Sequence, residues 1–264
     1  MNHIINTERM PLLFIGHGNP MNAILQNKWS EALRKLTGTL PQPEAVLMIS
    51  AHWFVPGTFI TIQEQPPTIH DFSGFPQELN QFAYPAPGSP ELAERVAYLC
   101  GEGASFSSDW GLDHGCWSVL THLYPKADIP VVQLSVDNML SPMEIIALGE
   151  SLRPLRDEGV LIIGSGNITH NLHDAFSRAH TGDVRTPDWA SDFDQKVAEA
   201  IVERDNAYLC AVITEESGEI NHPVPDHYLP LLYLLGIAEK EDTVSFPITG
   251  FDMGSLSMRS VRWG

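Results

Sequence analysis

Eleven histidines occur in this 264-residue chain, and five stand where a folded chain could gather them. Leu12 to Ile15 is a short apolar run followed by Gly16-His17-Gly18. Ala45 to Ile49 is a second, ending in Ser50-Ala51-His52-Trp53. Val160 to Ile163 is a third, followed by Gly164-Ser-Gly-Asn-Ile-Thr-His170. His114 lies in Asp113-His114-Gly115, and His227 heads an apolar stretch running to Leu235. Neutral imidazole is a common metal ligand and its proton exchanges near neutral pH, so such a set could hold an ion, move protons, or both. The competing reading is a set of buried histidines, each satisfied by capping a turn. His3, His122, His173, His180 and His222 fall on expected surfaces, helix faces or turns, and His70 sits in an aromatic stretch where it could line a pocket.

The elements that must position these residues follow from pattern. Apolar runs without polar interruption suit strands buried on both faces, as in a parallel sheet, and ligands bind such sheets at the strands' carboxyl ends. His17, His52 and His170 are therefore expected at one end of a common sheet, with His52 just past its strand. Thr58 to Ile62, Ile129 to Val136, Thr243 to Ile248 and Ser257 to Trp263 read as further strands. Helical spacing covers Asn27 to Leu36 and Trp189 to Arg204. Ser89-Pro90-Glu91 opens a helix to about Cys100, and Ser141-Pro142-Met-Glu144 one to about Glu158, each with a serine cap and proline in the first turn. Asp109 to Gly115 reads as a turn, followed by a helix over Trp117 to Tyr124, and Asp226 to Leu235 as a buried helix. Between them, Gln65 to Pro90 is rich in proline and aromatics, too long and too apolar for a plain connector, and is expected to pack as a lid or pocket wall. Strands alternating with helices, with no repeat or linker, imply one α/β domain over residues 1–264: a mostly parallel central sheet with helices on both faces.

Composition narrows the partners. Fifteen basic against 33 acidic residues give a net charge of −18, which disfavours nucleic acid and anionic membranes. Three cysteines, Cys100, Cys116 and Cys210, form neither a disulfide framework nor a thiolate zinc pattern. No secretory leader is visible, and the longest apolar stretch is about half the ~20 residues of a membrane span. A cytoplasmic protein is expected. The glycine pattern after Ile163 fails as a dinucleotide fingerprint, since Thr169 stands at its third glycine, and there is no Gly-x-Ser-x-Gly, phosphate loop or His-Glu-x-x-His.

The ordered set Gly16-His-Gly-Asn-Pro20, Ser50-Ala-His-Trp53, His70-Asp-Phe-Ser-Gly-Phe-Pro76, Tyr84-Pro-Ala-Pro-Gly88, Leu112-Asp-His-Gly115, Gly164 to Asn171 and Pro225-Asp-His-Tyr-Leu-Pro230 resembles the class III extradiol ring-cleaving dioxygenases, in the 4,5-DOPA dioxygenase extradiol branch. The likeness spans almost the whole chain. It implies that His17, His52 and His227 bind the metal, that His170 is the catalytic base and lies close enough to be a ligand itself, and that His114 is a second acid/base group. The usual triad of the wider class has a carboxylate in its third position, where this chain has His227; with three neutral ligands, zinc fits the site as well as iron.

The resemblance further implies Fe(II) for activity, O2 and a catechol, DOPA-like or another catecholic acid, as substrates, and a muconic semialdehyde as product. His170 would take a phenolic proton and protonated His114 would assist O–O cleavage, beneath the aromatic stretch from His70 to Tyr84. A zinc hydrolase using the same histidines to activate water is the alternative from another class, and a metal-binding scaffold without turnover a third.

Overall fold

A computed structural model describes residues 9–264; His3 and the N-terminal stretch read for a leader lie outside the described residues. The strands are β1 (Leu12–Gly16), β2 (Ala45–Val55), β3 (Thr58–Thr61), β4 (Ala104–Ser107), β5 (Val131–Asp137), β6 (Val160–Gly166), β7 (Val244–Ile248), β8 (Phe251–Asp252), β9 (Leu256–Ser257) and β10 (Ser260–Trp263). Eight of them form one sheet in the order β4-β3-β5-β2-β6-β1-β10-β7, and β8 pairs with β9. The central four, β5, β2, β6 and β1, run parallel, while β3 and β10 join them antiparallel.

Alternate residues of the central strands face two separate cores, which is why their apolar runs are continuous. Leu12, Phe14, Leu47 and Ile49 pack on one side; Leu13, Ile15, Val46 and Met48 pack on the other. The helix Leu229–Ile237, buried at every position, covers the first face beside the helix Pro142–Ser151. Two glycines permit that contact: a Cβ on Gly149 would meet the carbonyl of Tyr233 at 2.2 Å, and one on Gly236 that of Ile146 at 2.0 Å.

The serine caps form as expected, Ser89 accepting from the N–H of Leu92 and Ser141 from that of Glu144. The helix after Ser141 nevertheless stops at Ser151, and a short second one spans Pro154–Asp157. Proline lacks the N–H that would continue the ladder, and its ring clashes with the preceding turn. The edge strand β4 and the helix Leu172–Thr181 were not expected; the helix has a small core face, burying only Ala175.

Strand β2 departs most from the sequence reading. It does not end before His52 but runs on to Val55, with its register broken: Ile49 pairs with Leu134 and Phe54 with Val136, five steps along β2 against two along β5. Extra residues in one strand bend it and re-aim side chains, a device common beside active sites. His52 stands in that bulged segment. No helix among the described residues is long and apolar enough to cross a membrane.

Candidate metal centre

Five elements converge above the carboxyl ends of β1, β2 and β6. His17 follows β1 and donates its backbone N–H to Gly166 at 3.1 Å. Gly18, next along, takes φ +61°, a left-handed turn that a side chain would strain. His114 is not in a turn but is the first residue of the helix His114–Leu123, capped by the Asp113 side chain at the N–H of Cys116. His227 closes the short 3-10 turn Pro225–His227, just before rather than within its helix. Gly166 admits that turn: a Cβ there would meet the carbonyl of His227 at 2.1 Å.

The rings of His17, His52 and His227 form a nearly equilateral triangle, with centroid separations of 5.1, 5.1 and 5.0 Å. His114 lies against His52 at 3.7 Å, and His170 stacks on His227 at 3.4 Å with the planes 7° apart. The donor atoms fall into two groups able to grip an ion, His17 with His52 and His114, and His170 with Asp226 and His227. All five histidines line one cavity of about 210 Å³, walled by Phe72, Phe75 and Phe176. A cavity of about 150 Å³ accommodates benzene, so one substituted ring fits.

Tautomers follow from the outer partners. Ser165 Oγ donates to the carbonyl of Gly115 at 2.7 Å, so it accepts from Nδ1–H of His17 at 2.9 Å. Asp71 Oδ2 lies 3.1 Å from Nδ1 of His52 and 2.9 Å from Nδ1 of His114, and its Oδ1 accepts the backbone N–H of His114 at 3.0 Å. With both Nδ1 atoms occupied and both rings in the neutral, metal-ligating form, the Nε2 lone pairs of His17 and His52 face each other at 3.1 Å. Two facing lone pairs repel unless a cation lies between them. His227 is buried with neither ring nitrogen hydrogen-bonded among the described residues; Asp226 Oδ1, 3.1 Å from its Nδ1, accepts that residue's own backbone N–H instead. A buried polar atom without a partner is costly and rare. An ion satisfies it, so the residues present fit a bound metal.

Burial, reinforced by the neighbouring imidazoles, pushes His17, His170 and His227 well below the usual histidine range. That keeps them neutral, the form that ligates metal or accepts a proton. Burial and His52 also lower His114, against the pull of Asp71. Burial opposes charge on His52 too, but the contact with Asp71 and the charge of Asp113 outweigh it and raise the group. Burial likewise opposes ionisation of Asp71, yet His114 and His52 hold it well below the usual carboxylate range.

The catalytic LigB subunit of aromatic ring-opening dioxygenase is the family whose model matches residues 13–253. The chain belongs to this family. It is 44% identical over 266 residues to 4,5-DOPA dioxygenase extradiol of Escherichia coli (strain K12), covering 99% of this chain and 97% of that one. It is 39% identical to 4,5-DOPA dioxygenase extradiol of Beta vulgaris, over 95% of each. The crystal structure of an uncharacterised protein from Escherichia coli K12 matches with a TM-score of 0.85 at 40% identity, covering 97% of this chain and all of that one. The LigB chain is thus an extradiol ring-opening enzyme, and the hydrolase alternative gives way.

The remaining histidines sort differently from their sequence reading. His173 and His180 are exposed, as expected. His122 and His222 are buried instead: Nε2–H of each donates to a backbone carbonyl, Asn22 and Ile168 respectively, both at 2.7 Å. His70 does not line the cavity; its Nε2–H donates to the carbonyl of Phe82 at 3.0 Å. Of the aromatic stretch, Phe72 and Phe75 do form the cavity wall, whereas Tyr84 lies beneath it with its hydroxyl donating to the carbonyl of Tyr124. Asp71 and Ser165 were missed. Asp71 follows His70 in the aromatic stretch, and that acid beside a histidine was its only signal.

Proposed function

We propose that residues 1–264 act as one catalytic unit that opens a DOPA-like or other catecholic ring beside its hydroxyl pair, with iron(II) held by His17, His52 and His227. The observation carrying this is the pair of facing Nε2 atoms at 3.1 Å beside the unpartnered, buried His227. The substrate class comes from the relatives named 4,5-DOPA dioxygenase extradiol. When bound, the ion supplies chelation of the two hydroxyl oxygens and activation of O2.

The side chains do the rest. His170 lies against His227 on the cavity wall and is kept neutral by burial, so it accepts a phenolic proton. His114, with Nδ1–H committed to Asp71, keeps Nε2 for the second proton transfer: it would hold the other phenolic proton beside the bound ring and give it back as the ring opens. Phe72 and Phe75, packed edge to face at 5.0 Å, cover the ring and keep bulk water away. Zinc suits the same neutral nitrogens and is proposed as an occupant of the protein as purified. The three free cysteines accord with a reducing cytoplasm.

Aerobic oxygen uptake with catechol and DOPA on iron(II)-reconstituted protein tests this reading. The expected result is uptake with a yellow semialdehyde product. Metal-loaded protein that consumes no O2 with either would overturn it.

A further inference from the structure

Asp71 belongs to no helix or strand, yet among the described residues its carboxylate is the one that touches two of the five histidines through their ring nitrogens. We propose that Asp71 is a positioning residue that sets the tautomers of His52 and His114 together, tying retention of the metal to readiness of the acid/base group. The catalytic half of this rests on the ring-opening reading above.

An ionised carboxylate only accepts hydrogen bonds. Each Nδ1 within 3.1 Å of Oδ2 therefore carries its ring's proton, and in the neutral ring, the form that ligates metal or accepts a proton, Nε2 keeps the lone pair. For His52 that lone pair faces His17 and the candidate ion. For His114 it is the atom left to exchange a proton in the cavity. The second oxygen takes the first backbone N–H of the helix His114–Leu123, so the carboxylate is fixed from both sides. Outer partners of this kind orient a ligating imidazole and make it more basic. Here one carboxylate does so for a ligand and for its catalytic neighbour, whose rings are 3.7 Å apart.

The position in the chain adds a second consequence. Asp71 adjoins Phe72, which lines the cavity and packs against both Phe75 and His114. The segment that shapes the wall of the substrate cavity thus also carries the carboxylate. Displacing the wall would release both tautomers at once.

Asp71→Asn separates this from a merely structural role. An amide can offer its oxygen to one Nδ1–H, but its NH2 group meets the other as donor against donor, so one ring must reverse its tautomer. The readout is the imidazole nitrogen spectrum of histidine-labelled, zinc-loaded protein, with kcat measured on the iron form. Wild type is expected to show Nδ1–H at both His52 and His114. Asp71→Asn should convert at least one ring, weaken metal binding about 10–100-fold and lower kcat about 10²–10⁴-fold. Asp71→Glu should keep both tautomers and recover more turnover than the amide. Unchanged tautomers and kcat in Asp71→Asn, with only a lower melting temperature, would overturn the proposal. If Asp71→Asn does not fold, wild type decides alone, since Nε2–H at either His52 or His114 overturns it. Wild-type protein that takes up no oxygen removes the ring-opening reading and leaves the tautomer measurement standing.

Discussion

Nε2 of His17 faces Nε2 of His52 across 3.1 Å, and each ring is tied from behind, one by Ser165 and the other by Asp71. The two rings come from strands adjacent to β6 on opposite sides, so β6 sets their separation. With His227 closing the triangle, the three form the proposed grip on the ion. Replacing His17, His52 or His227 by alanine should lower metal content sharply after dialysis, beyond the 10–100-fold typical of outer partners. Elemental analysis checks this, and full occupancy in His52→Ala would remove that residue from the ligand set.

Ser165 gives a milder test of the same geometry. Ser165→Ala removes the acceptor that fixes His17 and leaves the carbonyl of Gly115 without its 2.7 Å donor. Metal affinity is expected to fall about 10–100-fold, and stability of the metal-free protein by about 1–3 kcal/mol. Chelator competition and denaturant melts measure the two separately. An unchanged affinity would mean that His17 is held by its packing alone.

These tests also mark how far the sequence could be read. His17, His52 and His170 were legible because each follows an apolar run that had to be a buried strand. His227 was legible only as the head of an apolar stretch. Asp71 and Ser165 were not, because their roles depend on contacts across 43 and 148 residues that no local pattern records. The same limit hid the burial of His122 and His222, whose carbonyl partners, Asn22 and Ile168, lie 100 and 54 residues away. The bulge in β2 was not legible because the continuous apolar run ends at Ile49, while the strand goes on through Ser50 and His52 to Val55.

His170 separates binding from turnover. Its ring stacks on His227 at 3.4 Å, yet its backbone is held independently, its N–H donating to Asn221 at 3.0 Å. As the base, His170→Ala should retain much of the metal while losing about 10²–10⁴-fold in ring-opening rate. Metal analysis and oxygen uptake on the same preparation distinguish the outcomes. Metal and activity falling together would make it a fourth ligand, and unimpaired uptake would exclude both roles.

Acid stability depends on a histidine away from the triangle. His222 is buried against Phe193 and Tyr228, and its Nε2–H donates to the carbonyl of Ile168. Burial pushes it down to about 4, more than the Ile168 bond and the charge of Asp226 raise it. The unfolded chain binds that proton at about 6.5. Below this value the unfolded state therefore holds more protons than the folded one, and stability falls with pH until the folded group also titrates. The contribution is fully present above pH ~6.5 and lost on descent to about 4, a window worth about 3 kcal/mol. Melting temperatures of metal-free protein between pH 7 and 4.5 should drop steeply, and His222→Gln should flatten the slope even if it lowers the plateau. The metal-free form is required because protonation of the ligand histidines would release an ion over the same range. Parallel slopes for wild type and His222→Gln would show that acid lability arises elsewhere.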